Sequence, residues 1–110
     1  MKAFNAIYFG HLATQGLPVG SPDRRALPIA GDDAGARGVV AALIDELGFD
    51  VVDAGPLAES WRFQRDTPSY VVRAGTADLA DRLARAKRYR DTTPDEAAQI
   101  AKEMQAAFTG

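Results

Sequence analysis

The stretch Asp50-Val51-Val52-Asp53-Ala54-Gly55-Pro56-Leu57 decides how the chain is read. A short β-branched run ends at Gly-Pro, and a helix-compatible segment follows. This is a strand that turns tightly into a helix. In open α/β sheets ligands lie beyond the carboxyl ends of strands, and a free helix N-terminus favours anions. Gly55 is therefore a candidate binding position. The glycine fingerprint of a dinucleotide loop is absent here, so from spacing alone an ordinary strand-turn-helix link is the favoured reading.

Upstream, Gly31-Asp32-Asp33 announces a helix, because an Asp can accept from free N–H groups of a first turn. Ala36, Val39, Val40, Leu43, Ile44 and Leu47 recur at spacings of three and four, which predicts one apolar face. Gly48 is the C-terminal stop. Before this helix, Ala26 to Ala30 is a short apolar run. Pro28 cannot donate to a ladder, so the strand should lie at a sheet edge or begin at the Pro. Lys2 to Phe9, aromatic and apolar apart from Asn5, reads as a third, buried strand. His11 to Arg25, with two Gly and two Pro, reads as a long connection.

Downstream, Leu57 to about Phe63 is expected to be helical with Pro56 at its first position. Tyr70 to Arg73 suits a short extended piece. Thr76 is expected to cap a helix that runs to about Tyr89, with Leu79, Leu83 and Ala86 inward. Thr93-Pro94-Asp95-Glu96 spells a capping box ahead of a final helix striped by Ala97, Ile100, Ala101, Met104 and Phe108. The fold class expected is α/β: a small three-stranded sheet with flanking helices, a partial Rossmann-like C-terminal half, plus two C-terminal helices. Residues 1–73 form the α/β unit, and 74–110 a helical tail packing on the sheet or on a second chain.

Composition sets the limits. The chain has 110 residues, 46% hydrophobic and 25% charged, which suits one globular domain. Thirteen Lys and Arg against fifteen Asp and Glu give a net charge of -2, so no global basic footprint points to nucleic acid. There is no Cys and a single His, which removes thiolate chemistry and multi-histidine metal sites. No run is long enough for a membrane helix and no leader pattern is present, so a cytoplasmic location is expected.

Several side chains carry both a functional and a plain structural reading. Asn5 within an apolar run needs a partner or faces a site. His11, with no Ser or Cys beside it, reads as a loop histidine. Ser60-Trp61-Arg62-Phe63 offers an aromatic platform, or simply core. Arg82, Arg85, Lys87, Arg88 and Arg90 form a basic cluster that a solvated helix end also explains.

Three segments in order, Lys2-Ala3-Phe4-Asn5, Leu27-Pro28-Ile29-Ala30-Gly31-Asp32-Asp33 and Asp53-Ala54-Gly55-Pro56-Leu57-Ala58-Glu59-Ser60, resemble the second half of coenzyme F420-dependent NADP oxidoreductases, in their bacterial dinucleotide-binding-like branch. The resemblance covers roughly residues 2 to 70. It implies hydride transfer between NADP(H) and a deazaflavin (F420) or flavin-like acceptor. It places Asn5, Ala6 and Ile7 beside the nicotinamide and Thr67-Pro68 against the deazaflavin. Trp61 departs from an Arg common in the family. No glycine-rich loop is present, which implies a fragment or separately encoded half, inactive alone and binding none of these cofactors or only part of them. No catalytic acid or base and no metal ligand is expected. The implied partners are a separate Rossmann half or a second copy, a homodimer burying Phe4, Ile7, Trp61 or the terminal helices. A non-catalytic interaction module derived from such an enzyme is the alternative reading, and a small-ligand binder at Gly55-Pro56 a third.

Overall fold

The computed structural model describes residues 1–109, without the side chains of Tyr89, Phe108 and Thr109. The order is α1 (Phe9–Thr14), β1 (Ala26–Ile29), α2 (Ala34–Glu46), β2 (Asp50–Asp53), a 3₁₀ helix (Leu57–Phe63), α3 (Thr76–Ala84), a second 3₁₀ turn (Tyr89–Asp91) and α4 (Pro94–Thr109). The fold is α/β. Its sheet has two strands, β1 and β2, paired in parallel with Leu27 opposite Val51 and Ile29 opposite Asp53.

The expected third strand does not form. Lys2 makes only an isolated antiparallel bridge to Ala30. Phe4 then turns into the left-handed region at φ 62°. Residues 4–7 bend, and α1 begins at Phe9. The apolar run is buried as a plug rather than extended as a strand. Ala6 enters one core cluster and Ile7 the other.

Strand alternation explains the layers. Ala26 of β1 and Ala30 just after it, with Val52 and Ala54, face a cluster that contains Phe63, Ala74, Leu79 and Leu83. Leu27, Ile29 and Val51 face the other side, against Ile44, Phe49, Val40 and Leu12. Side chains alternate across a strand, so this sheet is covered on one face by α3 and the 3₁₀ segment and on the other by α2. All four residues of β1 are buried, whereas Asp53 at the end of β2 is exposed.

Pro28 occupies the edge side, as its missing N–H requires. Asp50 N donates to Arg25 O at 2.9 Å and Ala54 N to Ile29 O at 2.8 Å. Alternate residues of β1 therefore face β2, and Ala26, Pro28 and Ala30 face away. Ala26 N donates instead to Ala74 O at 2.8 Å and Ala30 N to Lys2 O at 3.0 Å. The same alternation turns the backbone groups of Val51 and Asp53 away from β1. Among the described residues no strand pairs with that edge.

The α2 signals are realised with one correction. Asp33 Oδ1 accepts from Gly35 N at 2.8 Å and Ala36 N at 3.2 Å. Gly48 ends the helix at φ 102°. Only part of the expected apolar face is buried, however. Ile44 is 0% exposed, while Val39 is 72% and Leu43 46% exposed. The helix sits on the sheet along its 40–41–44 edge, and the 39–43–47 ridge faces outward.

Further corrections are local. Pro56, at φ -65° and ψ 159°, precedes the 3₁₀ helix instead of opening it. Gly75, not Thr76, is the N-cap of α3, which stops at Ala84. Residues 70–73 join no ladder, with Val71 at φ 54°. The capping box at Thr93 is present. Thr93 N donates to Glu96 Oε1 at 3.0 Å and Glu96 N to Thr93 Oγ1 at 3.2 Å. Of the expected α4 stripe, Ile100 and Met104 are half-buried and Ala97 and Ala101 exposed. The side chain of Phe108 and all of Gly110 lie outside the described residues.

Candidate functional site

The carboxyl ends of β1 and β2 lie side by side, which puts Gly31-Asp32-Asp33 next to Asp53-Ala54-Gly55. Gly31 N donates to Gly55 O at 2.9 Å. Gly55 is left-handed at φ 95°, with open space where a Cβ would stand. Asp53 fixes this turn by accepting from Gly55 N at 2.8 Å through Oδ1. Its other oxygen, Oδ2, pairs with Arg37 Nε at 2.9 Å. Arg37 also donates to the Gly31 carbonyl.

Both helical segments that open at this edge have their free N–H groups occupied by the chain's own carboxylates. Asp33 caps α2, and Asp32 Oδ1 accepts from Leu57 N at 3.0 Å. An anion would have to displace these contacts and approach three carboxylates offset by one arginine. The edge therefore fails the fit for a diphosphate. An acidic rim of this kind accepts hydrogen bonds from hydroxyl or amide donors. Among the described residues no group of His, Asp or Glu is arranged to hold a metal ion.

The other expected site residues lie elsewhere. Asn5 Nδ2 donates to Phe63 O at 3.0 Å, while its buried Oδ1 has no partner. Val71 N donates to Ala6 O at 2.9 Å. Asn5 and Ala6 thus bind the ends of the segment that carries Thr67-Pro68. Ala6, Ile7 and Thr67 are themselves buried. Thr67 Oγ1 donates to Gln64 O at 2.7 Å, and Ser69 Oγ to Arg62 O at 2.9 Å. These bonds hold the loop closed on itself.

Pro68, of the six, borders a cavity. It lines a cleft of about 420 Å³ with Arg85, Lys87, Glu96, Ile100 and Glu103, within the usual size range for small-molecule pockets. Charges around it are paired. Lys87 Nζ lies 2.9 Å from Glu96 Oε2, and Arg82 Nη1 3.0 Å from Glu103 Oε2. Glu96 is held well below the ordinary carboxylate range, at about 2, chiefly by Lys87 and then by Thr93. Arg85 pairs with Asp81. The basic cluster is thus largely committed to neighbouring acids.

The aromatic platform is also occupied. Guanidinium groups of Arg62 and Arg88 lie 4.5 and 4.6 Å from the Trp61 ring centroid, and Phe63 is fully buried. His11 lies in α1 rather than in a loop, in edge contact with Tyr8. Sequence reasoning missed Arg24, Arg25 and Arg37. The only signal available was two adjacent arginines just before an apolar strand.

The chain is similar to the "Putative protein YjhV" of Escherichia coli (strain K12). The two are 50% identical over 54 residues, which is 49% of this chain and 39% of YjhV. The match therefore spans well under half of that relative's length. No protein-family profile matches the chain, and no solved structure matches it.

Proposed function

We propose that the chain supplies the distal, acceptor-side portion of an NADP-dependent oxidoreductase of the coenzyme F420 type, and that it does not transfer hydride by itself. The observation that carries this reading is the β2 edge. A parallel pair covered by helices on both faces belongs to sheets that continue sideways. Here the Val51 and Asp53 backbone groups face outward with no strand beyond them. A glycine-rich dinucleotide half would extend the sheet there and bring its own diphosphate cradle. The carboxyl edge of this chain, capped by Asp32 and Asp33, offers none.

The acceptor ring would lie in the cleft beside Pro68, where Ile100 gives an apolar wall. The test is titration of the purified chain with F420, with flavin mononucleotide and with NADPH, read by fluorescence and calorimetry. The expected result is saturable binding of F420 or the flavin, lost in Ile100→Asp, with no turnover until a glycine-rich half is added. Absence of binding by both acceptors would sink the proposal.

A second reading rests on the same edge. Unpaired strand edges attract a copy of themselves, and the chain would then be a non-catalytic module that assembles through β2. Sedimentation decides between them. A tight homodimer that an edge Pro at Val51 disrupts, together with no ligand binding, favours assembly. The surfaces first expected to dimerise are poorly suited, since Ile7 is buried and the Trp61 ring is stacked against arginines.

A further inference from the structure

Arg24 and Arg25 are adjacent and differently partnered. Arg24 Nη1 takes both nearby acids, Asp45 at 2.6 Å and Asp50 at 3.0 Å. Arg25 is 0% exposed and has one acceptor, Gln15 Oε1, at 3.0 Å from Nη1. Its Nε and Nη2 have no hydrogen-bond partner. Among the described residues no carboxylate forms an ion pair with it. A buried guanidinium without a counter-charge is costly by several kcal/mol, so the unmet edge calls for an explanation.

The chemistry of that edge is specific. Nε–H and Nη2–H lie in the guanidinium plane along one edge and point in parallel. This is the fork that binds two oxygens of one carboxylate or phosphate group. A second cation reinforces the field. Arg73, which donates to the Asp23 carbonyl, acts on Arg25 in the same sense as burial, and together they push its pKa down to about 10. Arg25 still carries its charge at neutral pH.

The segment that carries Gln15 borders open surface. Thr14 and Gly16, which flank Gln15, line a surface cleft of about 370 Å³ together with Leu17, Leu47 and Gly48. Gln15 is the side chain that holds Arg25.

We infer that the Nε/Nη2 edge of Arg25 is a binding site for a small free oxyanion with two parallel oxygens. The site lies at the amino end of β1, away from Gly55 and from the Pro68 cleft. It is independent of the hydride-transfer proposal.

The experiment uses the full chain, labelled with ¹⁵N, and follows the Arg25 Nε–H resonance, assigned by its disappearance in Arg25→Lys. Inorganic phosphate, acetate and chloride are titrated separately at matched ionic strength. A saturable shift with phosphate or acetate, and not with chloride, is expected; the stronger of the two identifies the oxyanion class. The same anion should raise the melting temperature of the wild type, and Arg25→Met should lose that rise. Arg25→Met puts an apolar chain where the unpaired charge was, so it should fold. Should it not, the wild-type resonance decides alone. An Arg25 resonance that stays fixed, that responds equally to chloride, or a thermal response that persists in Arg25→Met overturns the inference.

Discussion

Gly48 and Gly16 meet backbone against backbone: a Cβ on Gly48 would stand 2.6 Å from Gly16 Cα and 2.7 Å from Leu17 N. The Leu17 N–H also donates to the Gly48 carbonyl at 2.9 Å. The contact pins the long connection before β1 to the end of α2, and it uses the left-handed turn that stops the helix.

Gly48 and Gly55 both have positive φ, but only Gly48 is crowded. Gly55→Ala should cost about 1–2 kcal/mol, the ordinary penalty for a side chain in a left-handed conformation. Gly48→Ala should cost more, by a further ~1–3 kcal/mol from the backbone clash. Urea denaturation of the two variants checks the order. Equal costs would mean that the Gly16 contact is readily relaxed.

Adjacent apolar residues on α2 should behave oppositely. Ile44 is fully buried among Leu27, Ile29 and Phe49, so Ile44→Ala should lose about 2–5 kcal/mol. Leu43→Ser alters a half-exposed ridge and should stay within about 0.5 kcal/mol. A large loss for Leu43→Ser, read by the same denaturation, would show that this ridge is covered in solution.

Thr93→Ala removes one half of the capping box. The expected cost is about 1 kcal/mol, and it should appear as fraying of α4 rather than of the sheet. Amide exchange is the appropriate probe. Protection in the first turns of α4 should fall while protection at Leu27 and Val52 is unchanged.

The Glu96 contact should make α4 sensitive to acid. Its folded pKa is depressed from 4.5 to about 2, first by Lys87 and then by Thr93. A depressed carboxylate contributes stability above its unfolded pKa, which is lost as pH falls through the folded one. The helical signal of α4 should therefore decline between about pH 4.5 and about pH 2. Glu96→Gln should flatten the part of that decline due to this residue. A wild-type profile that is flat over this interval would contradict the assignment.

Features carried by neighbours in sequence were legible. An aspartate cap at Asp32-Asp33, the Gly48 stop, the Thr93–Glu96 box and a strand from Phe49 to Ala54, observed at Asp50–Asp53, each depend on contacts a few residues apart. Pro28 was legible for the same reason, since a missing N–H restricts a strand whatever surrounds it. The candidate site was legible only in part. Gly55 showed itself by its turn chemistry, but Asp32 reaching across to Leu57 and Arg37 pairing with Asp53 are contacts between separate elements.

The local code therefore determined the α/β character, the positions of β1 and β2, and the ends of α2 and the beginning of α4. Tertiary structure alone decided that Lys2 to Phe9 turns into the core instead of forming a strand. The same apolar composition suits either fate, and the Phe63 cluster takes Ala6 while the Ile44 cluster takes Ile7 with Ala3 and Phe4. Long-range packing likewise decided that Arg24 takes two carboxylates and Arg25 none. Identical side chains at adjacent positions differ only in what the folded chain brings to them.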